Sequence, residues 1–224
     1  MENSDIFIDP NLYKLNATNK TEGLTFLKNI KDFVVSAIFL DPQYRGILNK
    51  LKYGNEGIRQ TKRCLLPQMS EETIGNFIVE CDRILKNSGH LFLWLDKFQL
   101  CQGTQLKWIE PTHLKIVDMI VWNKNKMGMG YRTRKCSEYL VILQKEPIRA
   151  KGCFNDHSIM DVWTEEVLRN FEYPHRKPSK LQKRLILATT KENEVICDPC
   201  AGSYGVLGSC RQLDRTFIGC DILG

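Results

Sequence analysis

Two acidic residues that follow apolar runs mark the part of the sequence best suited to bind a nucleoside. The segment Asp198-Pro-Cys-Ala-Gly-Ser-Tyr-Gly205 follows a short apolar run, and Asp221 follows the next run, 221 − 198 = 23 residues later. A turn of small residues between a strand and a helix lets backbone N–H groups approach a ligand closely. An acid at the end of the next strand can accept hydrogen bonds from both hydroxyls of a ribose. The pattern favours a nucleoside-containing cofactor over a plain turn followed by a solvated Asp221.

A third acid, Asp41, ends the apolar run 34–40 and is followed by Pro42, Gln43 and Tyr44. The Asp41 carboxylate can accept a hydrogen bond from an amino group, and the fixed φ of Pro42 holds the nearby carbonyls in place. The ring of Tyr44 offers a face on which a base can stack. Alone, this pattern is often only a turn that ends a strand. Together with a cofactor turn, it indicates a site that binds an amino group.

The elements that must position these residues alternate between apolar runs and amphipathic segments, which predicts an α/β fold with a mostly parallel sheet. Strands are predicted at 34–40, 91–95, 114–122, 139–143, 195–197 and 217–220. Helices are predicted from Ser70 to the Asn87-Ser88-Gly89 stop, from Pro178 onward, and after the small-residue turn to about Leu213. Ligands in such sheets bind outside the carboxyl ends of the strands, which is where the three acids are predicted to lie.

The composition is that of one domain with a substantial apolar core. The chain has 224 residues, of which 42% are hydrophobic, so we expect a single domain over 1–224 with a polar arm at 1–22 and a loop at 45–68. The formal net charge of +6 is compatible with a polyanionic partner and also with solvated basic faces. The apolar runs are shorter than the ~20 residues of a membrane helix, and no signal peptide is visible, so a cytoplasmic location is expected.

The cysteines do not form a paired framework. There are nine, an odd number, and only Cys197 and Cys200 form a C-x-x-C pair. A zinc site would require a second pair or nearby histidines, but the four histidines are dispersed, so no metal is expected. Reduced thiols are the expectation. A redox pair is the disfavoured alternative, because the neighbouring residues fit a cofactor turn better.

The joint order of these motifs resembles that of the S-adenosylmethionine-dependent DNA methyltransferases that modify exocyclic amino groups, adenine N6 or cytosine N4. The segment Asp41–Tyr44 is similar to their catalytic motif Asp-Pro-Pro-Tyr, and Asp198–Gly205 is similar to their cofactor motif Asp-Pro-Phe-x-Gly-Ser-Gly. The segments 122–140 and 174–178 resemble further motifs, Trp-x-Lys … His-Glu-Tyr and His-x-x-x-Lys-Pro. The catalytic motif precedes the cofactor motif, as in the permuted β class, and the resemblance spans about residues 24 to 221.

The resemblance implies a Rossmann-like methyltransferase fold with helices on both faces of the sheet and a circularly permuted motif order. It also implies S-adenosylmethionine as the cofactor, double-stranded DNA as the partner, and a restriction-modification role. Methyl transfer would go to a flipped-out base, more often adenine where the motif begins with Asp. The implied catalytic residues are Asp41, Pro42, Gln43 and Tyr44. The implied cofactor-binding residues are Asp198, Pro199, Ala201, Gly202, Ser203, Asp221, His175, Lys177 and Pro178.

The DNA is expected to contact two basic loops, and residues 146–173 are expected to recognise the target sequence. The resemblance also favours a homodimer. The basic residues are Lys50, Lys52, Arg59, Lys62, Arg63, Lys124, Lys126, Arg132 and Arg134; solvated surface loops are the alternative. The sequence departs from the family at Gln43, where a second proline is usual, and at Tyr204-Gly205, where Gly-Thr is usual. His175 and Lys177 also stand closer together than the common pattern has them.

Other functions remain open at this point. The main alternatives are cytosine N4 as the target and a non-catalytic subunit of the same fold that binds DNA or a partner protein. The motifs do not separate DNA from RNA as the substrate. A nucleotide-dependent oxidoreductase is disfavoured, because no G-x-G-x-x-G follows an N-terminal strand.

Overall fold

The computed structural model describes residues 7–43, 69–128, 132–167 and 176–223. The strands are β1 (Val35–Leu40), β2 (Leu85–Leu95), β3 (Leu114–Gly128), β4 (Lys135–Lys145), β5 (Val162–Thr164), β6 (Val195–Asp198) and β7 (Thr216–Gly219). The helices are α1 (Gly23–Lys28), α2 (Glu71–Ile84), α3 (Lys97–Gln102), α4 (Thr104–Ile109), α5 (Ser179–Thr189) and α6 (Gly205–Gln212). None of the helices in these ranges is long and apolar enough to cross a membrane.

The strands form one sheet in the order β5-β3-β4-β2-β1-β6-β7. Neighbours pair in parallel from β2 through β1 and β6 to β7, and β5 pairs in parallel with β3. β4 is antiparallel to both β2 and β3; its pairing with β3 follows from the short connection between them, which reverses the chain. The prediction of a mostly parallel α/β sheet is confirmed.

Both faces of the sheet are covered by helices, as the resemblance implied. Successive residues of a strand point to opposite faces, and all six residues of β1 are buried. Ile38 and Leu40 contribute to the core that includes α1 and α2, whereas Ala37 and Phe39 contribute to the core that includes α5 and α6. The sheet is therefore the middle layer of three, and β1 is an interior strand between β2 and β6.

Helix α2 begins and packs as its sequence predicts. The Ser70 hydroxyl accepts a hydrogen bond from the Thr73 N–H at 3.0 Å, and Glu71 and Glu72 occupy the first turn, where acids are favourable. The end of the helix differs from the prediction. β2 already begins at Leu85, and Asn87-Ser88-Gly89 forms an irregularity within this strand, where the pairing with β1 shifts register.

Two further features of the described chain were not predicted. Helices α3 and α4 occupy residues 97–109, and the capping box of Asp96 and Gln99 begins the first of them. The predicted loop between β3 and β4 is shorter than expected, because both strands extend toward it, to Gly128 and from Lys135. Segment 146–173, predicted to recognise the target, contributes β5 at one edge of the sheet.

Candidate active site

The three acids singled out in the sequence meet at the carboxyl edge of the sheet. Asp41 directly follows β1, and Asp198 ends β6, which pairs in parallel with β1. Asp221 comes two residues after β7, the neighbour of β6. The negative charges of Asp41 and Asp221 lie close enough to Asp198 to raise its pKa by repulsion. The expectation that strand ends gather these carboxylates is confirmed.

Asp198 lies beneath the small-residue turn and is 7% exposed. One of its carboxylate oxygens, Oδ1, accepts a hydrogen bond from the Cys200 N–H at 3.2 Å. Burial is the main reason that the pKa of Asp198 is raised to about 8, and the nearby Asp41 and Asp221 add to this effect. A positive charge beside this carboxyl group would favour its ionised form.

The turn after Asp198 is held by hydrogen bonds and leaves room for a ligand. Ala201 donates its N–H to the Cys220 carbonyl at 2.9 Å, and the Gly202 N–H donates to Asp221 Oδ2 at 3.0 Å. Gly202 has a φ of +47°, and a Cβ atom placed on it would find nothing within 4 Å. The turn therefore presents backbone to open space beside two carboxylates, which fits the nucleoside and amino-acid parts of S-adenosylmethionine.

The segment predicted as a polar arm lies against the cofactor turn. The Asn19 carbonyl accepts hydrogen bonds from the Tyr204 hydroxyl at 2.9 Å and from the Asp221 N–H at 3.0 Å. The Asn19 side chain donates to the Gly219 carbonyl at 2.9 Å. At Gly23 an added Cβ would lie 2.6 Å from the Pro199 carbonyl oxygen. Residues 19–23 thus help to fix both acidic strand ends.

A chain of alternating charges lies beside Asp41. The Lys177 ammonium is 3.0 Å from Asp41 Oδ2 and 2.8 Å from Glu138 Oε2, and the Lys124 ammonium is 3.1 Å from Glu138 Oε1. Lys177 also lies 4.8 Å from the centre of the Trp94 ring. The pKa of Asp41 is raised, chiefly by burial and further by Glu138, and Lys177 opposes this shift. The two lysines hold the pKa of Glu138 at about 2, against the effect of its burial.

The other predicted site residues divide by position. Pro42 is buried and Gln43 is exposed, with the Gln43 carbonyl accepting from the Met69 N–H at 2.8 Å. Pro199, Ala201, Gly202 and Ser203 belong to the turn beside Asp198, whereas Lys177, predicted on the cofactor side, contacts Asp41. The predicted residues that lie outside the described ranges are Tyr44, His175, Lys50, Lys52, Arg59, Lys62 and Arg63.

The described basic residues expected to contact DNA lie at the end of the β3–β4 hairpin. Lys126, Arg132 and Arg134 are exposed there. Lys124 is half-buried and its ammonium forms an ion pair with Glu138, so it belongs to the group of alternating charges beside Asp41. Glu138, Asn19 and Trp94 were not predicted as site residues, and only Glu138 carried a signal, its place in the segment that resembles a family motif.

The C-x-x-C pair does not have the surroundings of a reactive thiol. Cys197 is fully buried and Cys200 is partly buried, and burial raises the pKa of both thiols well above the usual value. A reactive cysteine needs the opposite shift, which favours the thiolate. Within the described ranges, no group of three or more His, Cys, Asp or Glu residues is arranged to hold a metal ion.

Comparison with known proteins gives a consistent result. A family model described as DNA methylase matches residues 35–223. The type II methyltransferase M.HhaII of Haemophilus parahaemolyticus is 50% identical over 211 residues, covering 93% of this chain and 92% of that protein. Two solved structures share the fold. The M1.HpyAVI–SAM complex has a TM-score of 0.62 and 18% identity, and the match covers 91% of this chain and 92% of that one. The cytosine-N4-specific PvuII DNA methyltransferase has a TM-score of 0.68 and 14% identity, and the match covers 92% of this chain and 81% of that one.

Proposed function

Because this chain belongs to the N6/N4 DNA methylase family, we propose that it methylates adenine N6 in duplex DNA with Asp41 as the acceptor of the amino hydrogens. The coarser activity follows from the family and from the 50% identical type II methyltransferase: the chain transfers a methyl group from S-adenosylmethionine to an exocyclic base amine of DNA. The observation that carries the proposed site is the placement of Asp41 and the Asp198 turn on the adjacent strands β1 and β6.

The chemical task of the site is to make a weak nucleophile attack. The lone pair of the exocyclic amine is delocalised into the ring, so the residues that accept its hydrogens must draw that pair back onto nitrogen. In the proposal, the Asp41 carboxylate accepts one hydrogen and the Pro42 carbonyl accepts the other. Asp41 follows a fully buried strand, so its position is rigid, and a fixed acceptor is effective because it needs no reorganisation during the reaction.

The proposed cofactor site is the turn with its two acids. S-adenosylmethionine supplies a methyl group on a positively charged sulfonium, so no covalent intermediate is needed and the proposal includes no metal. Asp221 is proposed to accept hydrogen bonds from the ribose hydroxyls while Gly202 keeps its N–H on Asp221 Oδ2. Pro199, Ala201, Gly202 and Ser203 are proposed to approach the rest of the cofactor through their backbone, with His175 and Pro178 on the same wall.

DNA is proposed to lie over the carboxyl edge of the sheet, with the target base flipped out toward Asp41 and stacked on Tyr44. Lys126, Arg132 and Arg134, exposed on the β3–β4 hairpin, support this placement, and residues 146–173 are proposed to read the target sequence. We further propose a cytoplasmic location, where chromosomal DNA is found in bacteria. A homodimer is proposed as well, with the exposed apolar side chains of Met119, on β3, and Val162, on β5, as part of its interface.

The choice of adenine rests on the Asp that begins the catalytic motif, because both amines present the same pair of hydrogens. The shared fold does not select the base, since one structure with this fold belongs to a cytosine-N4-specific enzyme. The test is to incubate duplex DNA with the protein and S-adenosylmethionine, digest it to nucleosides and identify them by mass. N6-methyladenine is expected. Detection of N4-methylcytosine alone would overturn the assignment of adenine as the target base. The absence of both products would favour the alternative of a non-catalytic subunit.

A further inference from the structure

The Lys177 ammonium is held from two sides by carboxylates. Asp41 Oδ2 lies 3.0 Å away and Glu138 Oε2 lies 2.8 Å away, and the Trp94 ring closes a third side at 4.8 Å. The Lys177 side chain is only 13% exposed. Buried ammonium groups that lose water need such partners, and a pair of carboxylates with an aromatic face provides them. Lys177 is therefore fixed in place rather than sampling solvent.

Glu138 is the second carboxylate of this group, and it has no role of its own in the proposed reaction. It comes from β4, on the far side of β2 from Asp41. Both of its carboxylate oxygens are engaged, Oε2 with Lys177 and Oε1 with Lys124 at 3.1 Å. The pKa of Glu138 is held at about 2, so its charge is constant over the working range of an enzyme. A permanently charged partner gives Lys177 a permanent second anchor.

We propose that Glu138 is a positioning residue for methyl transfer, which divides the Lys177 ammonium between itself and Asp41 so that Asp41 keeps acceptor capacity for the target amine. The proposal rests on the proposed role of Asp41. An ammonium has three donors, and a carboxylate that held all of Lys177 alone would have fewer lone pairs left for a substrate. With Glu138 present, Lys177 neighbours Asp41 Oδ2, and Asp41 Oδ1 is left to accept from the base.

The charged and titratable groups that face Asp41 determine the signs of the expected effects. Among the residues that the structure describes, they include Lys177, which precedes α5, Glu138 on β4, Asp198 at the end of β6, and Cys200 in the turn that follows. Glu138 raises the pKa of Asp41 and Lys177 lowers it. Glu138→Gln removes the negative charge that raises the pKa of Asp41. Lys177 should then move closer to Asp41, so the pKa of Asp41 should fall. Lys177→Met removes the positive charge that lowers the pKa of Asp41, so this pKa should rise.

The experiment follows the Asp41 carboxyl carbon by NMR in the cofactor-free protein labelled with ¹³C-aspartate, with Asp41→Asn to assign the signal. Wild type, Glu138→Gln and Lys177→Met are titrated over the same pH range. Opposite shifts of the Asp41 pKa in the two variants are expected. The acidic limb of the pH profile of methyl transfer should move with each shift, and Glu138→Gln should lower kcat by about 10-fold through misplaced acceptor geometry.

A matched control removes a comparable ion pair elsewhere. Glu194→Gln breaks the 3.4 Å pair with Lys86 at the opposite edge of the sheet and should leave the titration of Asp41 unchanged. If Glu138→Gln does not fold, Glu138→Asp replaces it, since a retracted carboxylate should shift the Asp41 pKa in the same direction by less. A constant Asp41 pKa in the Glu138 variants, or shifts of the same sign in the Glu138 and Lys177 variants, would overturn the proposal. Full activity of Asp41→Ala would instead refute the proposed function.

Discussion

Replacing Asp41 by alanine is expected to lower methyl transfer by about 10²-fold or more, because the amine then has no carboxylate to accept its hydrogen. Cofactor binding should persist, since the turn and its two acids lie on β6 and β7 rather than on β1. Transfer is measured with a radiolabelled methyl donor and binding by calorimetry. Asp118→Ala, at an exposed position of β3, is the matched control. Near-wild-type transfer by the Asp41 variant would assign the acceptor role elsewhere.

Asp221 is expected to govern cofactor affinity instead of the chemical step. Asp221→Ala should weaken binding by about 1.5–3 kcal/mol, the range for hydrogen bonds to a charged group. Asp221→Asn is the informative companion, because its amide oxygen can still accept from the Gly202 N–H that Asp221 Oδ2 now holds. Loss of affinity in both variants would assign the effect to the ribose contact, whereas an unchanged dissociation constant would show that Asp221 does not contact the cofactor.

Single residues differ in how far their roles could be predicted. Asp41, Asp198 and Asp221 were identified because each follows an apolar run, and parallel strands bring such ends to one edge. Asn19 contacts Tyr204 across 185 positions, and Glu138 contacts Lys177 across 39. Neither contact leaves a local pattern in the sequence, because it depends on how distant strands are ordered in the sheet.

Among the elements, the β3–β4 hairpin is expected to bind DNA phosphates. Replacing Lys126 and Arg132 by alanine should weaken binding to any duplex and lower the slope of log affinity against log salt concentration by about 1 for each phosphate that is no longer neutralised. Binding is measured by fluorescence anisotropy over a range of salt concentrations. Lys115→Ala, at the other end of β3 and near Glu146, should leave the slope unchanged. Equal slopes for wild type and the double variant would remove the hairpin from the DNA surface.

The elements that could be predicted are those whose local signals agree. β1 has a continuous apolar run, and α2 has both a capping serine and a periodic buried face. α3 and α4 have six residues each, which is too short to be stable alone, and they depend on contacts such as the buried Trp108. The early start of β2 also depends on tertiary contacts, because Gly89 lies close enough to β1 that an added Cβ would be 3.0 Å from the Ser36 carbonyl oxygen.

The stability of the whole molecule should depend on pH through Asp198. Its pKa is about 8 when folded and near the usual aspartate value of about 4 when unfolded. Between these values the folded state binds more protons than the unfolded state, so the free energy of unfolding should decrease as pH rises, by at most about 1.4 kcal/mol per pH unit. Urea unfolding of the cofactor-free protein at several pH values measures this slope. Asp198→Asn should reduce the slope, because the raised pKa of Asp41 contributes to it as well, and identical slopes in both proteins would contradict the raised pKa of Asp198.

At the scale of the molecule, the class of the fold and the location of the site followed from the sequence, but the complete strand order did not. Alternating strands and helices predict parallel neighbours, and this holds for β2-β1-β6-β7. The placement of β3, β4 and β5 on the other side of β2 is set by the hairpin and by β5, a three-residue strand with too few residues to show periodicity. Edge strands of this kind are defined by their neighbour rather than by their own sequence.

The contact between Asn19 and the cofactor turn has a practical consequence for anyone who shortens this protein. The family match begins at residue 35, so a gene trimmed to the matched residues would still encode the catalytic strand and the acidic turn. Its product would lack the carbonyl that holds the Tyr204 hydroxyl and the Asp221 N–H, and it would also be without the fully buried Phe26 and Leu27. The smallest useful protein therefore starts before the first recognisable motif, and an affinity tag joined near this segment needs a spacer.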